Sequence, residues 1–477
     1  MPDEQIRFEQ HIGDLPERVF FANEEPLLET GEYVLVVLHR ALRTEDNPVI
    51  EAACAHAAVL GVGVAVFCEL DEAVAYASDR LFYFALGAFR ELAIALSEKN
   101  IPCVQTIQRK TDKTDRLETL ASRAIAIYTD EDHTHWDSAK LNRLLAIATQ
   151  AVFFVDASRL VPVRVLPDKG ISTTPAFRKT HGTLRDRYMA FRQEVTEAAI
   201  GFDLTANPVP IPTEEKNFGK CSDDELRSLV ASLNINHSIP ISEDHPPTQA
   251  EAQKRIETLK EHILARYKWI RNNPALEYST SELSPYLHFG MVSPHQLLAE
   301  IESADVPKTY TWKFRDEFLT WREWSHYLAF HQPNLHDFDS LPNSAKKTLR
   351  EHASDPRPEL TDREDIINGN TPDATWNAAQ REWLNTGWLH NNLRMYWAKQ
   401  ILRFTPKPET AWEMACYIND YISLDGRDPA TYASMQWAFG KAKPGYSEKA
   451  IYGWVAPKSD RAILKRKGMK EWIEARQ

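Results

Sequence analysis

The chain has 477 residues, enough for two or three domains, and its apolar fraction of 43% supports a sizeable core. No apolar run reaches the roughly 18 residues that a membrane span requires. The net charge of −12 sets aside a uniformly basic surface, and five scattered cysteines (54, 68, 103, 221 and 416) set aside a disulfide framework or a cysteine-ligated metal.

The first 30 residues carry eight acids against two arginines and read as an acidic N-terminal extension. They open Met-Pro-Asp-Glu without a basic-then-apolar leader, so a reducing compartment, cytoplasm or nucleus, is expected. From 31 to 160, apolar runs at Tyr33–Leu38, Val59–Phe67, Ile101–Ile107, Ala124–Tyr128 and Val152–Val155 alternate with helical stretches such as Arg80–Lys99 and Ser138–Ala148. This alternation predicts an α/β domain on a parallel sheet. No G-x-G-x-x-G or Walker loop follows any of these strands. From 161 to 247 frequent proline marks a long, partly ordered connector. From 248 to 477 the pattern is helical, over Ala250–Lys268, Pro294–Ser303, Trp312–Phe330, Trp376–Asn385, Leu389–Phe404 and Thr410–Tyr421. The fold class is therefore α/β followed by all-α.

Two distributions stand out in the helical half. Twelve of the 13 tryptophans lie after residue 268, which suits either a large core or an aromatic-lined ligand site. Residues 441–477 carry ten Lys and Arg against four acids, a local patch that can hold phosphates or simply be a solvated face.

Four stretches carry candidate chemistry. Around Tyr267 and Arg271 runs "YKWIRNNP", followed by Thr280-Ser-Glu-Leu-Ser-Pro, where Thr280, Ser281 and Ser284 either meet a phosphate or cap a helix. Glu317, Trp321 and Trp324 fall at i, i+4 and i+7, either a base-receiving face or plain core. "GWLHNNLRMYWAKQIL" (387–402) reads as one helix whose apolar stripe is flanked by Asn391, Arg394 and Met395. The turn "LDGRDP" supplies Asp425 and Asp428, and a carboxylate here would pair with a buried Arg394.

In order along about 170 residues, "RNNP", "LSPYLHFG", "EHASDPR", "ATWNAAQ", "LRMYWAKQIL" and "LDGRDP" resemble the photolyase/cryptochrome flavoproteins, and within them the class II cyclobutane pyrimidine dimer photolyases. "LHRALRTEDNP" and "FFVDASRLVP" are similar to the family's N-terminal antenna domain, whose sheet is Rossmann-like. The resemblance implies FAD inside the helical domain, with Tyr267, Thr280, Ser281, Leu283 and Ser284 on its phosphates and ribityl chain. It also implies Arg394 and Asp425 as the ion pair beside the isoalloxazine ring, Asn419 facing its N5, and Asn391 and Asp428 nearby. Glu317, Arg271, Trp321, Met395 and Trp437 match the lesion pocket. Trp397 and Trp376 match the inner and middle members of a tryptophan relay, while Phe404 replaces the outer one. Trp412, Trp388 and Trp383 are the other candidate donors, and Met435 occupies the inner position of the class I relay.

What is implied is light-driven repair of pyrimidine dimers in double-stranded DNA by a monomer. A second antenna chromophore, a deazaflavin or a folate, is compatible with the α/β domain. The absence of histidine at Asn391 and Met395 speaks against (6-4) lesions. The rival readings are a cryptochrome-like photoreceptor without repair and a flavin-free helical scaffold. The scaffold leaves Arg394 and Asp425 without a purpose, and the photoreceptor would ordinarily carry a long tail.

Overall fold

The computed structural model describes residues 15–199, 217–441 and 447–477. Parts of the acidic extension (1–14), the connector (200–216) and the basic tail (442–446) lie outside the described residues. Six strands form one sheet in the order β1–β6–β5–β2–β3–β4. They are β1 (Val19–Phe21), β2 (Tyr33–Val37), β3 (Gly63–Asp71), β4 (Cys103–Gln108), β5 (Ala124–Asp130) and β6 (Ala151–Val155). Neighbours are parallel except β1, which pairs antiparallel with β6 through Val19 and Val155. β1 therefore joins the sheet from within the stretch read as an acidic extension.

Every residue of β2 is buried, as expected for an inner parallel strand covered on both faces. The covers are α1 (Pro48–Leu60), α2 (Asp79–Glu98), α3 (Arg116–Ala121) and α4 (His135–Ile147). α1 starts on an Asn47 cap with Pro48 behind it and ends at Gly61 in the left-handed region. That puts Val59 and Leu60 in a helix, so the expected Val59–Phe67 strand begins only at Gly63.

The rest of the chain is helical: α5 (Thr174–Ala199), α6 (Asp223–Ala231), α7 (Gln249–Thr258), α8 (Tyr267–Ile270), α9 (Ser284–His288) and α10 (Pro294–Ser303). Then follow α11 (Lys308–Asp316), α12 (Glu323–His331), α13 (Asn343–Glu351), α14 (Arg363–Asn368), α15 (Ala374–Thr386) and α16 (Asn391–Phe404). The last four are α17 (Pro408–Ile422), α18 (Pro429–Gln436), α19 (Arg461–Leu464) and α20 (Met469–Glu474). Trp376, Trp383, Trp397 and Trp412 are fully buried in this half, so most of its largest side chains build core. Among the described residues no helix is long and apolar enough to cross a membrane.

The order in which strands are added reverses between the parallel strands β2 and β5, and the loops after their carboxyl ends meet the helical half through Arg40. The Asp130 carboxylate accepts the backbone N–H groups of His39, Arg40 and Ala41. Arg40 then reaches Asp137 at 2.9 Å, a ring nitrogen of His288 at 2.6 Å and the Arg427 carbonyl at 3.0 Å. Gly290 (φ +68°) makes this approach possible, because a Cβ there would lie 2.0 Å from the Arg40 carbonyl oxygen.

Candidate active site

One cavity of about 510 Å³ opens among α7, the 274–282 loop and the loop before α16. Thr280, Ser281, Trp388, Leu389, His390 and Leu393 are among its walls. The expected helix over 387–402 is broken here: Gly387 (φ +74°) ends α15, His390 caps α16, and Trp388 and Leu389 lie in the loop between. The break turns the Trp388 indole toward the site, where its Nε1–H donates to the Ser284 hydroxyl at 3.1 Å. Ser284 in turn donates to Asp425 Oδ2 at 2.6 Å.

Asp425 is the hub. Its Oδ1 accepts from Arg394 at 3.0 Å and from Ser423 at 2.6 Å. Burial pushes the Asp425 carboxyl up, but the Arg394 charge and these three donors outweigh it and hold it below the usual carboxylate range. Asp425 is therefore a carboxylate at neutral pH, facing the Arg394 guanidinium. Gly426 lets this turn lie against α17, since a Cβ there would sit 1.9 Å from the Asn419 carbonyl oxygen. Asn419 is fully buried and donates Nδ2–H to the Ala415 carbonyl at 2.8 Å, while its Oδ1 has no protein partner. Arg394 Nε and His390 Nε2 are likewise buried without a protein partner.

The other expected contacts divide. Thr280 and Ser281 line the cavity, and Leu283 precedes α9 without a side-chain cap, so none of the hydroxyls serves as the helix cap weighed from the sequence. Tyr267 instead packs on Phe314 at 5.0 Å with Arg271 above its ring. Asn391 is exposed at the first position of α16. Asp428 caps α18 and faces His288 at 3.3 Å, within the contact between the two halves rather than the cavity.

Sequence reasoning missed Glu282. It adopts φ +52°, a costly conformation for this residue, and is held by Arg255 at 2.9 Å and His245 at 3.3 Å. No local pattern announces it, because its partners lie 27 and 37 residues upstream.

His390 yields a pH prediction. Burial pulls its imidazole down from 6.5 to about 4. A base held neutral in the fold protonates first in the unfolded chain. Its stabilisation is therefore complete above pH 6.5 and is lost as pH falls from 6.5 to about 4, by at most about 1.4 kcal/mol per pH unit. His390→Asn keeps an acceptor for the Asn392 amide and should flatten the fall of Tm across that window. An unchanged slope would contradict this assignment.

A second constellation involves α11 and the turn that follows it. Glu317 pairs with Arg271 at 2.7 Å and with Lys313 at 2.8 Å. Residues Glu317–Arg322 form a π turn, which resets the helical period. Trp324 consequently leaves the expected Glu317 face and stacks in the core on Tyr327 at 5.6 Å. Trp321 keeps its place and meets the half-exposed Trp437 edge-on, with centroids 6.2 Å apart. Met395 is half-buried against the same core.

The tryptophans next to the cavity form a column. The Arg394 guanidinium lies 4.8 Å over Trp383, which meets Trp397 edge-on at 5.1 Å. Trp397 stacks on Trp376 at 5.6 Å and 11°, and Trp376 ends on Phe404 at 5.4 Å. Gln380 accepts from the Trp397 indole at 2.8 Å and fixes the stack. Trp412 contacts the rings of Phe338 and Phe439 instead.

No family model matches the chain. The deoxyribodipyrimidine photo-lyase of Methanothermobacter thermautotrophicus is 28% identical over 456 residues, spanning 94% of this chain and 96% of that protein. The deoxyribodipyrimidine photo-lyase of Potorous tridactylus is 32% identical over 327 residues, 68% of this chain and 58% of that one. The chain belongs to the photolyase/cryptochrome family. Among solved structures, the archaeal photolyase of Sulfolobus tokodaii, described with two FAD molecules, superposes with a TM-score of 0.61 at 16% identity over 93% of this chain and 89% of its own. The Synechocystis cryptochrome does so with 0.64 at 15%, over 94% and 89%. At such identities these structures speak for the fold of the family member, not for its reaction.

The residues present fit the family's flavin. Asn419 Oδ1 offers an acceptor to a ring N–H, while Arg394 Nε and the Arg394–Asp425 pair offer donors and charge to a polar heterocycle edge. Buried polar atoms without protein partners, here Asn419 Oδ1, Arg394 Nε and His390 Nε2, are costly unless a ligand satisfies them.

Proposed function

We propose that the chain is a class II DNA photolyase that restores cyclobutane pyrimidine dimers under light with FAD. The observation that carries this reading is the Arg394–Asp425 pair beside the partnerless Asn419 oxygen, adjoining a cavity of ligand size. FAD, bound and reduced, supplies the photoexcited electron that the dimer takes up and returns.

The protein's share is binding, orientation and exclusion of water. Thr280 and Ser281 face a phosphate-bearing ligand, and Arg394 and Asp425 fix the charge next to its ring. Glu317, steadied by Arg271, offers a carboxylate to the N–H edge of a flipped pyrimidine, and Trp321 and Trp437 form two walls at right angles around it. The basic segment 447–477 supplies phosphate contacts. Without histidines at Asn391 and Met395, proton transfer to a (6-4) lesion has no donor there.

A second chromophore, deazaflavin or folate, has an aromatic-walled cavity of about 530 Å³ available between the halves, beside Trp136, Tyr417 and the stacked His135–His336 pair. Five free cysteines suit a reducing compartment, cytoplasm or nucleus.

The test is cofactor retention. The purified chain should carry about one FAD, or take it up on reconstitution. Asp425→Ala strands Arg394 as a buried, unpaired charge and should cost about 3–5 kcal/mol, enough to lose the cofactor. An absorption spectrum checks both; a wild-type protein that stays colourless after reconstitution would contradict the reading.

A further inference from the structure

Trp269 on α8 and Tyr310 on α11 are exposed, at 57% and 40%, and touch each other with ring centroids 5.5 Å apart. α8 already buries Tyr267 against Phe314, so the exposed pair adds nothing to the core. Tyr310, Lys313 and Glu317 succeed one another at i, i+3 and i+7, which places them along one face of α11. At 1.5 Å per residue the backbone of Tyr310 lies roughly 10 Å along the helix axis from that of Glu317, about three base spacings of a nucleic-acid strand.

The surroundings are cationic. Lys268 Nζ lies 5.0 Å over the Trp269 ring. Residues 266–271 and 308–317 together hold six basic residues against two acidic ones. Arg271, Lys308, Lys313 and Arg315 meet Glu317, Asp316 or Glu302, while Arg266 and Lys268 stand at the start of α8, the element that carries Trp269. Exposed rings set among cations are the composition of a stacking platform for unpaired nucleotides.

We infer that Trp269 and Tyr310 stack against the bases left without partners when a dimer leaves the duplex. This rests on the lesion reading of Glu317 and extends the contact surface beyond that pocket. Flipping exposes two unpaired bases, and covering them offsets part of the unstacking cost.

The experiment measures dark binding of FAD-loaded wild type, Trp269→Ala and Tyr310→Ala to duplexes carrying one cyclobutane dimer. The bases opposite the dimer are either natural or replaced by abasic sites. On the natural duplex each variant should bind roughly tenfold more weakly, with an unchanged salt slope. On the abasic duplex the variants should match wild type. Equal affinity of all three proteins for the natural duplex, with dimer preference retained, would overturn the inference and leave the platform to a protein partner. A tenfold loss on both duplexes would also overturn it, as a contact to backbone rather than bases. A wild type that does not distinguish dimer from undamaged DNA would overturn the lesion reading and this inference together.

Discussion

Trp397→Phe should abolish light-driven reduction of the bound FAD while leaving FAD content intact. Trp397 is the one tryptophan of the described column that touches two others, Trp383 edge-on at 5.1 Å and Trp376 face-on at 5.6 Å. Phenylalanine keeps an aromatic ring in the slot but leaves a small void and strands the buried Gln380 acceptor, a cost of about 2–4 kcal/mol that a thermal melt of the variant reads separately from photoreduction. What it removes is an oxidisable ring, because phenylalanine gives up an electron far less readily than tryptophan. Trp376→Phe should slow the process without stopping it, since Trp383 still adjoins Trp397. The column ends at Phe404, fully buried, so an electron hole on Trp376 meets no further tryptophan of the column. Trp412, another candidate donor from the sequence, shares no ring contact with the column among the described residues. Transient absorption of the two variants decides: full photoreduction in Trp397→Phe would make Trp383 the inner donor.

Much of this site was legible because several of its parts are short-range patterns. The residues alone called for some carboxylate of the acidic turn to meet Arg394, the resemblance named Asp425, and the structure closes that pair at 3.0 Å across 31 residues. The α/β character followed from buried apolar runs, and in the helical half Pro294–Ser303 matches its helix end to end. The illegible parts have physical reasons. The π turn at Glu317–Arg322 departs from the 3.6 period, so no count of spacings could send Trp324 into the core while Trp321 met Trp437. Gly387 hid the helix break because the residues beyond it, Leu389 included, continue the apolar stripe. β1 is three residues long and takes its partner from the far end of the domain, so no turn signal marks it. Asp428 read as a cofactor contact because it shares a turn with Asp425, yet its partner His288 lies 140 residues away. Local spacing carries no information about such a pairing.

If Glu317 and its neighbours present a dimer to a photoactive flavin, light alone must reverse the lesion. The decisive measurement illuminates reduced, FAD-loaded protein with an oligonucleotide bearing one cyclobutane dimer and, separately, one bearing a (6-4) photoproduct, then separates the products by chromatography. Glu317→Ala removes a charge-assisted hydrogen bond to the base and should lower repair about 10- to 100-fold, with FAD content unchanged. Wild type should restore the two thymines of the cyclobutane dimer in light and not in darkness, and should leave the (6-4) product untouched. Repair of the (6-4) substrate alone, or of neither, would contradict the account, and the second outcome would favour the photoreceptor reading.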